Sequence, residues 1–294
     1  MTVKILQFGT TGQLATELTR QAATHDVALT ALSRADCDLA DPAACARAVA
    51  SHRPDLVIIA AAYTAVDLAE TERDLARTVN ALAPAAIAGA CQAAGAALVN
   101  VSTDYVFDGA GGAPYAEEAE PHPLNVYGAT KLEGERLVAA ACARSLSIRT
   151  SWVVSAHGKN FVKTMLRVAA AGNPLKVVDD QSGRPTSAAD LAGFILGQAP
   201  RLAAAKTGDP AFGLLHFANS GEVTWKGFAE AIFAEALGDE APVVGGQKTA
   251  DYVTPARRPL RATMDLGRLQ AVFGVTPRPW QAALSEILAE LKAG

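Results

Sequence analysis

Metal-binding patterns, basic clusters and long apolar runs are all scarce in this chain. Its four cysteines (Cys37, Cys45, Cys91, Cys142) show no Cys-x-x-Cys spacing, and its five histidines form no His/Cys/Glu group at metal-ligand spacing. Neither a zinc site nor a disulfide framework is expected; reduced, buried thiols of a cytosolic protein are. Net charge is -4 and the pI about 5.8. Arg257-Arg258 with Arg261 is the one tight basic cluster, too small for a nucleic-acid-binding face. No apolar run approaches the roughly 20 residues of a membrane span. The N-terminus runs straight into a strand pattern, so no signal peptide is expected and the expected location is cytoplasmic. What remains is 294 residues, 50% hydrophobic and 19% charged, enough for one large α/β domain or two modest ones.

The chain opens with Val3 to Phe8, a run of β-favouring residues, then Gly9-Thr10-Thr11-Gly12-Gln13-Leu14-Ala15 and a helical pattern with Leu14, Leu18 and Ala22 in phase. A strand, a glycine-rich turn and a helix at this spacing form a dinucleotide-binding opening. Gly9 permits the turn, Gly12 lets backbone approach a pyrophosphate, and the helix N-terminus offers free N–H groups. Val27 to Leu32 predicts a second strand ending at Ser33-Arg34. An acidic residue there would accept from a ribose 2′-OH, whereas a hydroxyl and an arginine suit a 2′-phosphate. The tip therefore favours NADPH, with NADH as the alternative and an exposed surface arginine as the plainer reading. Asp38-Leu39 ends a short third segment beside the adenine position, and Asp41-Pro42 starts a helix.

Asp55 to Ala61 is a continuous apolar run, the signature of a parallel strand buried on both faces. It ends in small residues through Ala62, against which a flat cofactor could lie. Ala97 to Val101 is the next strand, and Ser102-Thr103-Asp104 sits at its carboxyl end, where open α/β sheets bind ligands. After a Gly/Pro/Glu-rich loop, Tyr127 and Lys131 fall one turn apart on a predicted helix. A nearby ammonium lowers a phenol's pKa from its reference near 10, which makes Tyr127 a proton donor at neutral pH. Thr103 is placed to hydrogen-bond the same carbonyl oxygen. The β–α alternation weakens beyond about residue 150. The expected fold is α/β: a Rossmann-type doubly wound parallel sheet in residues 1–150, followed by a smaller, mixed substrate-binding part over 151–294, some of whose segments return to the first.

Several blocks carry a resemblance: Gly9 to Gln13, Ala60 to Asp67, Ser102 to Phe107, Pro123 to Gly128, Arg149 to Val153, Asn160 to Met165, Asp180 to Thr186 and Tyr252 to Pro259. Together they resemble the extended short-chain dehydrogenase/reductases and, within them, the dTDP-4-dehydrorhamnose reductases. The resemblance implies NAD(P)H-dependent reduction of a dTDP-4-keto sugar at C4. It makes Tyr127 the proton donor and Lys131 its partner and a cofactor ligand. It puts Thr103, Asp104 and Trp152 on the sugar, and Gly12, Gln13, Leu14, Ser33, Asp38, Leu39, Ala62, Tyr63 and Thr64 on the dinucleotide. Ala15 replaces the third glycine of the turn, and Tyr63 stands where many members carry histidine. Some members are described as Mg-linked dimers. Here Glu17 is present, but Ala188-Ala189 occupy the second acidic region and Asp190 is the nearest acid. No metal is therefore expected, and Mg and a homodimer are left open. Two other readings stand beside this one: a reductase of a different 4-keto-6-deoxy sugar, and an NADP-binding regulatory subunit that does not turn over.

Overall fold

The computed structural model describes residues 2–172 and 174–293. In chain order the principal elements are β1 (Val3–Phe8), α1 (Gln13–Gln21), β2 (Val27–Leu32), α2 (Pro42–His52), β3 (Leu56–Ile59), α3 (Ala83–Ala94), β4 (Ala97–Thr103), α4 (Val126–Ala141) and β5 (Ser145–Thr150). There follow α5 (Phe161–Ala170), α6 (Ala188–Ala204), β6 (Gly213–His216), α7 (Trp225–Leu237), α8 (Gly267–Phe273) and α9 (Trp280–Ala293). The six strands form one sheet in the order β6-β5-β4-β3-β1-β2, every pair parallel.

Period-two alternation distributes the apolar residues between two layers. Ile5, Leu56, Ile58, Val99 and Ile148 face α1, α6 and α8, packing on Leu18, Leu191, Ile195 and Leu269. Leu6, Phe8, Val57, Ile59 and Leu98 face the other way, onto Val49 of α2, Ile87 of α3 and Val138 of α4. Full burial of side chains this size contributes roughly 1.5–3 kcal/mol each. A parallel sheet is stable only with both faces covered, which the helices of the two layers provide. The strand order reverses direction at β1, so a crevice opens at the carboxyl ends of β1 and β3.

The chain beyond residue 150 contributes to both parts of the molecule. It supplies α6, β6 and α8 to the sheet. It also builds a second core from α5, α7 and α9, with Met165, Phe228, Ile232, Phe233 and Leu284 at its centre. The parallel pair Leu175–Val178 and Val244–Gln247 edges that core. The segment after β2 forms no third strand. Asp36 accepts from Ser33 N–H and Oγ, and Asp38 accepts from Ala40 N–H, which folds residues 33–40 into two turns. All four cysteines are buried free thiols. No described helix is long and apolar enough to cross a membrane.

Candidate active site

At the end of β1 the chain must turn where β3 also ends. Gly9 has φ +104°, and a Cβ there would lie 2.8 Å from Ala61 Cβ, so only glycine fits. Gln7, buried beneath the turn, donates to Gly9 O (2.8 Å) and Ala15 O (3.1 Å), fixing the loop to the helix. Gly12 caps α1 without a side-chain bond, leaving the first N–H groups of that helix facing the crevice. A Cβ on Gly12 would meet nothing closer than Ala60 O at 3.8 Å. The fold itself therefore does not require glycine there; room for an approaching ligand does.

Two adjoining cavities share the wall made by Ala61 and Ala62. The larger, about 640 Å³, is lined by Gly9, Ser33, Arg34, Asp38, Leu39 and Tyr63, among others. The smaller, about 360 Å³, gathers Gln13, Leu14, Thr64, Thr103, Asp104, Tyr127, Lys131 and Trp152. Of the residues singled out in the sequence, Gly12 alone lines neither, sitting at the helix cap between them. At the β2 tip an acidic group stands beside the hydroxyl and the arginine read from the sequence. Asp36 folds back onto Ser33 Oγ (2.6 Å), and Arg34 Nε pairs with Asp38 (2.9 Å) while its side chain stays 81% exposed. Asn80, in a π-helical turn at Thr78–Leu82, clamps the backbone of Tyr63 through both its N–H (2.9 Å) and its C=O (3.1 Å). It also donates to Thr130 of α4, tying the cofactor-side loop to the Tyr–Lys helix.

Helix α4 starts at Asn125, whose side chain accepts from Gly128 N–H (2.8 Å). Two glycines bring it close to its neighbours: a Cβ on Gly128 would sit 2.2 Å from Tyr105 O, and one on Gly134 2.1 Å from Asn80 O. The helix thus delivers Tyr127 and Lys131 into the smaller cavity, with the Tyr105 ring edge-on to Tyr127 at 5.5 Å. Lys131 Nζ donates to Val101 O (2.6 Å), and Thr103 Oγ1 donates to Asp104 (3.2 Å).

The charge states differ from the expectation in one respect. Burial, opposed by the neighbouring Thr103 hydroxyl, leaves Tyr127 well above its ordinary value. Lys131 does not lower it in this geometry, because its ammonium points at Val101 O. Burial brings Lys131 down to about 8, with Glu135 pulling the other way. Burial also pushes Asp104 up to about 7.

The outer wall is aromatic. Trp152 stacks on Trp225 with ring centroids 3.5 Å apart and 8° between planes. Its backbone is left-handed, φ 45°, rare for a bulky residue and held by Thr186 N–H bonding to its carbonyl (3.1 Å). Gly183 makes room: a Cβ there would fall 2.7 Å from the Trp152 indole. Gln13 binds Val153 O (3.0 Å) and accepts from Ser155 and Asn160, linking the nucleotide turn to the segment after β5.

Glu17, His157 and Glu290 bring their ligand atoms within 4.8 Å of one another. Arg20 already lies among them, Nη1 3.0 Å from Glu17 and 2.9 Å from Glu290. Magnesium favours oxygen ligands in near-octahedral geometry, and this set offers an imidazole and a resident guanidinium, so it does not fit that ion. Asp190, the acid nearest the second region in sequence, is paired with Arg278 (2.8 Å) instead.

Gln7, Asn80, Tyr105 and Trp225 escaped the sequence reading. Only the π-helical turn and the glycines opposite it mark Asn80, and neither shows as a motif.

Residues 3–293 match the family described as RmlD substrate binding domain. The dTDP-4-dehydrorhamnose reductase of Escherichia coli K12 is 41% identical over 296 residues, covering 98% of each chain. A crystal structure of a dTDP-4-dehydrorhamnose reductase from Clostridium acetobutylicum superposes with TM-score 0.91 at 35% identity, covering 98% of this chain and 99% of that one. The enzyme of the same description from Bacillus anthracis, solved in complex with NADP, gives TM-score 0.91 at 33% identity, covering 99% and 100%.

Proposed function

Because the chain belongs to the RmlD substrate binding domain family, we propose that it reduces the C4 keto group of dTDP-4-dehydro-β-L-rhamnose to give dTDP-L-rhamnose, using NAD(P)H. The observation that carries this reading is the buried phenol of Tyr127, one turn from the ammonium of Lys131 and sharing a cavity with Thr103, at the carboxyl end of a parallel strand. A reduced nicotinamide, when bound, supplies the hydride to C4. Every other part is done by this chain's side chains. Tyr127 gives its phenolic proton to the C4 oxygen, and Thr103 orients that oxygen. The tyrosinate left behind is stabilised by Lys131, which turns from Val101 O and also meets the nicotinamide ribose. Solvent then returns the proton.

Asp104 and Trp152 contact the sugar. Gly9, Ser33, Arg34, Asp38 and Leu39 take the adenosine end of the cofactor. Gly12, Gln13 and Leu14 take the pyrophosphate, and Ala62, Tyr63 and Thr64 line the path to the nicotinamide. NADPH is the preferred cofactor: the exposed Arg34 guanidinium, held only at Nε by Asp38, keeps its Nη groups for a 2′-phosphate.

The test is oxidation of reduced nicotinamide with the keto sugar made in situ by its dehydratase and epimerase, run with NADPH and with NADH. Oxidation that requires the epimerase supports the reading. Oxidation without it assigns the chain to another 4-keto-6-deoxy sugar. Cofactor binding with no oxidation in any arm would make the protein a non-catalytic NADP-binding subunit.

A further inference from the structure

The helix that presents Tyr127 and Lys131 carries a second buried charged residue, for which the reaction above gives no role. Glu135 lies one turn beyond Lys131 and is buried to 3% exposure. Its carboxylate accepts from Ser102 Oγ on β4, and from Nε (2.9 Å) and Nη2 (2.7 Å) of Arg149 on β5. Arg149 is itself only 2% exposed. Two consecutive residues of β4 thus hold two charged groups of α4: Val101 O accepts from Lys131, and Ser102 Oγ donates to Glu135.

Stability is a poor reason for this arrangement. Well-packed hydrophobic residues commonly do as well as a buried ion pair, which must first be stripped of water. What the pair does set is the field at Lys131. Within the network the charges are two cations and one anion, with Glu135 between Lys131 and Arg149. Around them, the Tyr127 phenol lies on α4, and Asp104 and Tyr105 beyond β4 face it. Glu117 and His216 lie on the far side of Arg149, the Glu117 carboxylate accepting from His216 N–H (3.0 Å). Burial and Arg149 hold His216 neutral.

We propose that Glu135 and Arg149 are positioning residues for the reduction: Glu135 keeps the Lys131 ammonium charged and aligned along β4, and Arg149 limits that pull so the ammonium can turn to its reaction partners. This rests on the reductase reading of the site. It has a directional consequence. Removing the carboxylate leaves two buried cations in mutual repulsion, so Lys131 loses its proton at lower pH. Removing the guanidinium leaves Glu135 to Lys131 alone, so the proton is held to higher pH.

The experiment measures NADPH Kd by fluorescence titration and kcat/KM across pH for wild type, Glu135→Gln, Arg149→Met and Arg149→Lys. In wild type both quantities should deteriorate as pH rises through about 8, where Lys131 gives up its proton. Glu135→Gln should move that midpoint down by about one unit. Arg149→Met should move it up, and Arg149→Lys should leave it in place. Should Arg149→Met fail to fold, the downward shift of Glu135→Gln with an unshifted Arg149→Lys decides in favour. A Glu135→Gln midpoint equal to wild type, or shifts of both residues in one direction, overturns the proposal. Failure of the reductase reading looks different: wild type binds NADPH with the expected pH midpoint and mutant shifts but turns over nothing.

Discussion

At Tyr127, burial and the nearby Asp104 and Tyr105 all work against the phenolate, and Thr103 alone among its neighbours favours it. The ligand-free pocket therefore stores the proton rather than releasing it. In the proposed reaction, release comes when the substrate oxygen accepts it and Lys131 swings to the anion. Tyr127→Phe keeps the ring, its edge contact with Tyr105 and the packing of α4, and removes the proton alone. It should lower kcat by about 10²-fold or more while NADPH Kd stays near wild type. Undiminished turnover would remove Tyr127 from the role of donor. The placement of these residues was legible beforehand because it follows from spacing: Tyr127 and Lys131 share a helix face, and Thr103 ends a strand. Gln7 and Asn80 were not legible. Each is a polar residue whose importance lies in which distant backbone it meets, Gly9 and Ala15 for one and Tyr63 for the other. The acid at the Ser33 tip was missed for a related reason, since a turn brings Asp36 back to it from three positions along the chain.

Helix α4 has the least freedom of the elements around the site. Alanine is about 1 kcal/mol better than glycine inside a helix, so Gly134→Ala should stabilise the chain if propensity governed. The Asn80 carbonyl 2.1 Å from the new Cβ decides otherwise. The helix or the π-helical turn must move, and both hold the cofactor-side loop. Gly134→Ala should lower the melting temperature and weaken NADPH binding. Gly89→Ala on α3, where nothing lies within 4 Å, should raise the melting temperature and leave binding unchanged. Equal melting shifts in the two variants would show that the close approach is not as tight as drawn. Helix existence was readable from periodicity and caps, as at Asp41-Pro42. Helix extent was less so: α6 runs through Pro200 to Ala204 because its buried face (Ala199, Leu202) continues past the proline.

Across the whole molecule, the 254–258 segment is fastened to the first half of the chain by a few polar ties. Asp67, which follows β3, accepts from both Nη groups of Arg258 (3.1 and 2.8 Å) and from Ala256 N–H (3.1 Å). Asn125, the cap of α4, donates to Arg257 O (2.7 Å). Asp67→Ala should free the 254–258 segment and speed tryptic cleavage after Arg257 several-fold, an effect that bound dTDP-sugar should suppress. Cleavage at the wild-type rate would show that Asn125 suffices. The α/β architecture was legible from the alternation of strands and helices up to residue 150. Beyond it, four-residue strands such as Gly213–His216 look alike whether they join the main sheet or edge the second core. Only the partner strand, remote in sequence, separates the two.

That sixth strand also sets an order of events during synthesis. When β5 has left the ribosome, its outer edge still awaits a partner about sixty residues downstream. At 5–20 residues per second the wait lasts roughly 3 to 13 s. Through that interval a strand carrying Arg149 has an unpaired row of backbone groups, open to any other nascent chain that can pair with it. The cell meets this protein first as a five-stranded sheet with an open side, and its yield there depends on how well that side is sheltered until Gly213–His216 arrives.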